Sequence, residues 1–354
     1  MYHPLPLRPA AALRAATLAL VLAVPLTAPP AAYAEAPIKP AALRPGDTIM
    51  MIAPAGELNE TRMTLAAKRL REMGFEVIVP DDLFRRRGYN AGTDEQRADE
   101  LMRAFRDPDV DAIFPGTGGF GVTRMLHLVD WDVVRANPKI VIGFSDITAL
   151  HLALAAKANL VTFHSPNPQW GLGSDSNLAD FSAKYFWRCL LASENEEEQG
   201  FTYKLPKKNG PLVPLAPGVG EGTVTGGNLT LVAATLGTPY EIAADGKILF
   251  LEDVGEAPYR IDRMLSELRL AGKLDKLSGV VLGQFRGCED DDDRGGLSLQ
   301  QVFDDYFRGA AYPVVRNFAA GHVPLNATIP FGVPCRLDAD SLTFEVLENP
   351  VSVR

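Results

Sequence analysis

Short apolar runs alternate with stretches of helical length along the first half of the chain, and this alternation constrains the fold most. Residues 48–52 are apolar almost throughout and are followed by turn residues at 53–56. Apolar residues then recur at helical spacing over residues 59–73. A continuous apolar run suits a strand that is buried on both faces, as in a parallel sheet.

The alternation continues to about residue 163 and predicts a parallel α/β sheet. Further strands are predicted at 75–79, 112–114, 139–143 and 160–163, and further helices at 96–106, 121–128 and 147–158. Strands that alternate with helices of this length form units in which successive strands run parallel.

The composition changes near residue 167, and residues 167–179 are rich in Gly, Ser and Asn. Such stretches are typical of connections, and residues 171–205 are therefore predicted to be a linker. The linker separates an N-terminal α/β domain, residues 35–170, from a C-terminal domain, residues 206–354. The C-terminal domain has predicted strands at 247–251 and 279–283 on either side of a helix at 259–271.

The first 34 residues have the organisation of a secretory signal peptide. Arg8 and Arg14 give a positive start, and residues 15–26 form an apolar run. The run ends at Ala32-Tyr33-Ala34, which provides small residues for cleavage before Glu35. It is too short to span a bilayer comfortably, and no later stretch is apolar enough to do so. We therefore predict export to the periplasm, with an uncleaved tethering or disordered N-terminus as the alternative.

Charge and cysteine spacing argue against two classes of partner. The chain has 354 residues and a formal net charge of −9, without a run of Lys and Arg interleaved with aromatic residues. Nucleic-acid binding relies on a basic patch, so no nucleic-acid partner is expected. Cys189, Cys288 and Cys335 show no metal-ligand spacing. They are interpreted as isolated buried thiols, with one bridged pair as the alternative.

Ser145 lies in Ile142-Gly-Phe-Ser-Asp-Ile147, between a predicted buried strand and a predicted helix. A serine at such a corner exposes its hydroxyl, and the helix N-terminus offers amides to a developing oxyanion. The segment is similar to a nucleophile elbow, although Ile147 stands where the second glycine would be. The simpler alternative is that Ser145 caps the helix, a position that serine prefers.

A glycine-rich turn, Pro115-Gly-Thr-Gly-Gly-Phe-Gly121, follows another predicted strand. Its glycines match the GxGxxG pattern of dinucleotide sites, but an acidic ribose partner at the end of the next strand is absent. Two interpretations remain open on these residues. The turn either binds an anion or oxyanion through its amides, or is only a tight connection between strand and helix.

A nucleophilic serine needs a base, and the base needs an orienting carboxylate. His164 and His322 both lie next to predicted strand ends and remain rivals on the residues alone. Glu252 and Asp253 end a strongly apolar strand, where α/β proteins place functional side chains. A helix cap or an ion pair with a nearby arginine is the alternative for Glu252.

Four motifs follow one another along the chain. They are Gly143-Phe-Ser-Asp-Ile-Thr148, then Gly226-Gly-Asn-Leu229 with Leu236-Gly-Thr-Pro239, then Ile248-Leu-Phe-Leu-Glu-Asp-Val-Gly-Glu256 with Pro258-Tyr-Arg-Ile-Asp-Arg263, and finally Gly321-His-Val-Pro324. In these motifs and their order the chain resembles the LD-carboxypeptidases (muramoyltetrapeptide carboxypeptidases), a family of serine peptidases. The similarity extends from about Leu43 to Thr343.

The resemblance implies a catalytic triad in which Ser145 is the nucleophile, His322 the base and Glu252 the residue that orients the base. It thereby chooses between the two rival histidines. It also implies an oxyanion hole formed by the backbone amides of Gly119 and Asp146.

The implied fold pairs an N-terminal parallel-sheet α/β domain with a smaller C-terminal α/β domain, and the active site lies between them. The implied reaction cleaves the L,D peptide bond that releases the terminal D-alanine from a murein tetrapeptide, and it requires no metal or cofactor. The resemblance also implies a homodimer. The alternatives are hydrolysis of peptide–nucleotide antibiotics, as in related self-immunity proteins, and a non-catalytic periplasmic binding protein.

One position departs from the family pattern. Many members carry an Arg before the glycine pair of the glycine-rich turn, where this chain has Thr117. If that Arg helps to hold the terminal carboxylate of the substrate, recognition in this chain must use another group.

Overall fold

The structure, a computed structural model, describes residues 3, 36–191, 199–289 and 296–353. The predicted signal peptide lies outside the described residues, apart from His3. The described residues from Ala36 onward form one structural unit. Within the described ranges, no helix combines the length and apolar character needed to cross a membrane.

The first sheet is built mainly from the N-terminal half of the chain. Its parallel strands are β1 (Thr48–Ile52), β2 (Glu76–Ile78), β3 (Ala112–Pro115), β4 (Ile140–Gly143) and β5 (Thr162–His164). The helices that connect or follow them are α1 (Glu60–Glu72), α2 (Asp94–Arg106), α3 (Val122–Met125), α4 (Trp131–Ala136) and α5 (Ile147–Ala158), with a 3-10 turn at Leu126–Leu128. The predicted parallel α/β sheet is therefore confirmed.

Helices cover both faces of this sheet, and β1 shows why its sequence is apolar throughout. Ile49 and Met51 belong to the buried cluster that includes α1. Met50 and Ile52 point to the other face and join the cluster that includes α2 and α5. Because successive strand residues face opposite sides, a strand buried on both sides needs apolar residues at every position.

The second sheet has eight strands in the order β6-β14-β13-β8-β9-β10-β11-β7. They are β6 (Phe201–Thr202), β7 (Val213–Ala216), β8 (Val219–Asn228), β9 (Ile248–Val254), β10 (Gly279–Arg286), β11 (Val314–Arg316), β13 (Pro334–Asp338) and β14 (Thr343–Val346). Strands β8 to β11 run parallel and the outer pairings are antiparallel. The helices of this half are α6 (Asp180–Leu190), α7 (Leu229–Ala234), α8 (Pro258–Leu270) and α9 (Leu299–Phe307), with a 3-10 turn at Lys207–Asn209.

The segment predicted as a linker, residues 171–205, differs from that expectation because it contains α6 and β6. Tyr185, Phe186 and Leu190 of α6 are buried in the main core. Their helical spacing outweighs the Gly- and Ser-rich residues before them, since burying large side chains stabilises a helix that composition alone does not favour.

The two halves also share a sheet. The last strand of the first sheet, β12 (Ile329–Phe331), comes from the C-terminal part of the chain and pairs antiparallel with β5. The C-terminal segment thus completes the edge of the N-terminal sheet, which a division of the chain at a linker does not anticipate.

The three cysteines are free and buried, as predicted for isolated thiols. Burial raises the pKa of the Cys288 thiol to about 11 and the pKa values of Cys189 and Cys335 well above the ordinary range. A reactive cysteine needs a lowered pKa, so none of the three has the environment of a nucleophile.

Candidate active site

Ser145 lies on a sharp turn between the end of β4 and the start of α5. Its backbone has a φ of 63°, in the left-handed region that residues other than glycine rarely adopt. Strain of this kind is maintained only where the surrounding structure enforces it, and it is common at functional residues. Ser145 lines a cavity, and its hydroxyl makes no hydrogen bond to the amides at the start of α5. It has the form of a nucleophile elbow, and no side-chain cap is present at the start of α5.

The glycine-rich turn lies directly over Ser145. A methyl group on Gly118 would stand 2.8 Å from Cβ and 3.0 Å from Oγ of Ser145, so any larger residue would collide with the serine. The turn is held in place from the other side, because the amide of Gly56 donates to the carbonyl of Gly118 at 3.0 Å. Gly118 is therefore required for close approach of the two segments.

Two backbone amides are available next to this contact. Within the described part of the chain, neither the amide of Gly119 nor the amide of Asp146 donates a hydrogen bond to another protein group. The position of a methyl group on Gly118 would also be 3.2 Å from the nitrogen of Asp146, which places the turn and that amide side by side. Unused donors beside a serine hydroxyl are what an oxyanion hole requires.

The side chain of Asp146 ties the elbow to the glycine-rich turn. Its Oδ2 accepts a hydrogen bond of 2.9 Å from the amide of Val122, the first residue of α3, and the carboxyl group is fully buried. Burial raises the pKa of Asp146 to about 6 from its ordinary value of 3.8. The sequence indicated a role only for the amide of Asp146, whereas the structure adds this positioning contact of its side chain.

Replacing Asp146 with asparagine is expected to reduce the pH dependence of stability. In the wild type the folded state holds a proton that the unfolded state releases near pH 4, so stability falls as the pH rises from about 4 through 6. Between pH 5 and pH 8 the Asp146 carboxyl group is expected to lower the free energy of unfolding by about 1–2 kcal/mol. Urea unfolding at both pH values measures it, and an equal pH dependence of the two proteins would contradict the account.

A hydrogen-bonded histidine and carboxyl group lie beside the cavity. His322 Nδ1 is hydrogen-bonded to Glu252 Oε2 at 2.7 Å, and Glu252 has no exposed surface. Glu252 comes from the end of β9 and His322 from the loop after β11. These two parallel strands lie on either side of β10, so both residues are delivered to the same edge of the sheet. A Cβ atom at position 321 would lie 2.7 Å from Glu252 Oε2, which explains why glycine precedes the histidine.

Burial raises the pKa of Glu252, while the hydrogen bond from His322 opposes that rise. The neighbouring Asp253 has a different task. Its Oδ1 accepts from the Asn228 side chain at 3.0 Å, and its Oδ2 accepts from the amide and hydroxyl of Thr230, both at 2.9 Å. Of the two adjacent carboxylates, Glu252 faces the histidine, and Asp253 stabilises the start of α7.

The two rival histidines occupy different environments. His164 is completely buried, neither ring nitrogen has a hydrogen-bond partner in the described residues, and the rings of Phe144, Phe250 and Phe331 surround it. This burial lowers the pKa of His164 well below 6.5. His322 is partly exposed, lines the cavity and has a carboxylate partner. Only His322 has the surroundings of a catalytic base.

The Gly226-Gly227-Asn228 motif explains how the two halves meet beside the site. A methyl group on Gly227 would stand 2.6 Å from the hydroxyl of Thr148 in α5, and the amide of Asn228 donates to that hydroxyl at 3.0 Å. The end of β8 therefore packs against the helix that begins at the elbow. This contact fixes the Ser145 turn relative to the sheet that carries Glu252.

The site borders a cavity of about 850 Å³, a volume within the range that small-molecule ligands occupy. Ser145, His322 and Gly119 all line it. Within the described residues no hydrogen bond joins the side chains of Ser145 and His322. Catalytic hydrogen bonds often shorten only when substrate binds, so a shared cavity is the relevant geometric observation.

One wall of the cavity comes from residues 166–179, a segment whose function the sequence did not indicate. The wall is held by Arg69, whose Nη1 donates to the carbonyls of Leu172 and Ser174 at 2.6 Å each. The indole of Trp170 donates to the hydroxyl of Thr117 at 3.0 Å. The one available signal was an aromatic residue in a polar, glycine-rich stretch, and that signal is weak by itself.

The chain matches the LD-carboxypeptidase N-terminal domain over residues 49–165 and the LD-carboxypeptidase C-terminal domain over residues 221–337. A Bacillus subtilis protein named as a probable murein peptide carboxypeptidase is 38% identical over 89% of this chain and 95% of its own length.

Two solved structures share the fold. The microcin C7 self-immunity protein MccF of Escherichia coli is 30% identical in sequence over 89% of this chain and 97% of its own length. Its complex with glutamyl sulfamoyl guanosine superposes with a TM-score of 0.82 at 27% identity, covering 89% of this chain and all of MccF. Muramoyltetrapeptide carboxypeptidase from Oxalobacter formigenes gives a TM-score of 0.73 at 28% identity. The match covers 84% of this chain and 97% of the Oxalobacter protein. The chain therefore belongs to the LD-carboxypeptidase family of peptidases.

Proposed function

We propose that this protein is a serine carboxypeptidase that releases the terminal D-alanine from murein tetrapeptides by cleaving an L,D peptide bond. One observation carries the proposal. The hydrogen-bonded pair of Glu252 and His322 borders the same cavity into which the strained turn presents Ser145. The relatives named as murein peptide carboxypeptidases support the choice of substrate.

In the proposed reaction His322 accepts the hydroxyl proton of Ser145 while Oγ forms a bond to the scissile carbonyl carbon. Glu252 holds Nδ1 of the imidazole and stabilises the imidazolium that forms. The tetrahedral intermediate then collapses, the bond from carbon to the D-alanine nitrogen breaks, and His322 returns the proton to that nitrogen. Water, activated by the same imidazole, hydrolyses the ester and frees Ser145.

The negative charge of the tetrahedral intermediate needs donors that are already in position. The amides of Gly119 and Asp146 carry no other hydrogen bond in the described residues, and we assign the oxyanion to them. Loss of one donor from an oxyanion hole costs about 2.7–4 kcal/mol in other serine hydrolases. The fixed position of the glycine-rich turn over Ser145 means that no reorganisation is needed during the reaction.

The second candidate is hydrolysis of peptide–nucleotide conjugates. The structural similarity to MccF, whose complex contains glutamyl sulfamoyl guanosine, supports it. The two candidates share the nucleophile and base and differ in the group that leaves.

Mass spectrometry of products separates the candidates. We expect the protein to shorten a murein tetrapeptide by one alanine and to leave a glutamyl nucleotide conjugate intact. A tetrapeptide ending in L-alanine serves as the matched control and should remain uncleaved. Cleavage of the conjugate without release of D-alanine would support the second candidate, and cleavage of neither substrate would argue against both.

We also propose that the enzyme acts outside the cytoplasm, because residues 1–34 have the organisation of a signal peptide. N-terminal sequencing of protein from a periplasmic fraction should begin at Glu35. Recovery of the intact N-terminus in the cytoplasmic fraction would contradict this proposal.

A further inference from the structure

Arg286 is the only Lys or Arg among the described residues that line the cavity. It is the last residue of β10, which lies beside β9 and its Glu252. The other ionisable groups of the lining are His322, Tyr89 and Glu57, and Glu57 is paired with Arg86 at 2.7 Å. A positively charged side chain therefore borders a cavity that contains no other permanent cation in the described part of the wall.

The guanidinium of Arg286 is close to the proposed base. Its Nη1 donates to the backbone carbonyl of His322 at 3.4 Å, and no carboxylate of the described residues lies within ion-pair distance. By contrast, acidic side chains pair with Arg85, Arg97 and Arg124. The planar fork of Arg286 is thus available to an anionic group in the cavity.

The position of the Arg286 guanidinium fits the short distance between the scissile bond and the free carboxylate of a carboxypeptidase substrate. Between the scissile carbonyl carbon and the free carboxylate stand only one nitrogen and one α-carbon, which separates the two carbons by at most about 4 Å. The group that binds the carboxylate must therefore lie within one side chain's reach of Ser145 and His322. Arg286 lies beside the backbone of His322 and meets this condition.

The glycine-rich turn offers no charge for the same purpose. Thr117 carries a hydroxyl that already accepts from the indole of Trp170 at 3.0 Å. The guanidinium of Arg62 lies over that indole, 4.3 Å from the ring centroid, and Arg62 does not line the cavity. Among the described residues of the wall, Arg286 is therefore the one permanent cation that can pair with a carboxylate.

We propose that Arg286 binds the free carboxylate of the substrate's C-terminal residue and so makes the enzyme an exopeptidase. The inference rests on the proposed function, which it extends by assigning the group that recognises the chain end. Two parallel hydrogen bonds from a guanidinium to a carboxylate give both charge and directional specificity. Substrates that continue beyond the D-alanine, or whose end is an amide, lose this interaction.

Binding measured without turnover provides the test. Calorimetric titration of the Ser145→Ala protein with a murein tetrapeptide and with its C-terminal amide gives the preference for a free carboxylate. We expect the acid to bind about 10- to 100-fold more tightly than the amide. In the Ser145→Ala/Arg286→Gln protein the two peptides should bind almost equally, and Arg286→Lys should restore part of the preference.

Arg336→Gln is the matched control, since it removes the same charge from β13, away from the cavity. It should preserve the preference for the acid. The inference is overturned if the preference survives Arg286→Gln, if that change weakens acid and amide equally, or if neither peptide binds. D-Alanine release by the wild type is assayed separately. A lack of release together with an intact preference for the acid would remove the proposed reaction but keep the carboxylate site.

Discussion

Replacing Ser145 with alanine is expected to lower kcat for D-alanine release by about 10⁴-fold or more, because the proposed mechanism loses its nucleophile. The fold should remain intact, since the Ser145 side chain makes no hydrogen bond to a described residue. Release of D-alanine from a murein tetrapeptide, followed by a coupled D-amino-acid oxidase assay, measures the effect.

Ser341→Ala is the control for this change. Ser341 lies in the turn between β13 and β14, outside the cavity, and its removal should leave kcat within about twofold. Circular dichroism and thermal unfolding check that both variants fold. D-Alanine release by folded Ser145→Ala at a rate near that of the wild type would exclude Ser145 as the nucleophile.

Replacing Glu252 with glutamine is expected to lower kcat by about 10³- to 10⁴-fold, because an amide no longer stabilises the imidazolium or fixes the tautomer of His322. Stability should be preserved or should increase. Burial raises the pKa of Glu252, which shows that the surroundings disfavour its charged form, and glutamine is neutral and of similar shape.

Asp253→Asn provides a matched comparison at the adjacent carboxylate. Asp253 accepts hydrogen bonds from Asn228, Thr230 and the amide of Val254, and its loss should cost about 1–3 kcal/mol of unfolding free energy. Glu252→Gln should thus lower activity without lowering stability, and Asp253→Asn should mainly lower stability. If Glu252→Gln instead unfolded the protein while its activity per folded molecule stayed normal, the orienting role would be wrong.

The sequence predicted the parts of the fold that depend on local patterning. The apolar run at 48–52 predicted a strand covered on both faces, and Ile49 and Met50 do face opposite buried clusters. It did not predict that β12 would join the first sheet, because pairing of β12 with β5 brings together residues far apart in the chain. Helix α6 was missed because the Gly- and Ser-rich residues before it dominated the interpretation.

For the site, residue patterns suggested a serine at an elbow but left His164 and His322 as rivals. The family motifs pointed to His322 and Glu252, and the structure joins these two by a hydrogen bond of 2.7 Å. The burial that separates the histidines is a tertiary property and leaves no local signal. The same holds for Arg286, whose place in the cavity follows from the pairing of β10 with β9.

A crystal structure of the Ser145→Ala protein with a bound murein tetrapeptide tests the central claim most directly. The account predicts that the carbonyl oxygen of the L,D bond lies about 3 Å from the amides of Gly119 and Asp146, in hydrogen-bond range. His322 should face the nitrogen of the departing D-alanine and remain bonded to Glu252. A peptide whose L,D bond lies outside this cavity, or on the far side of it from His322, would contradict the account.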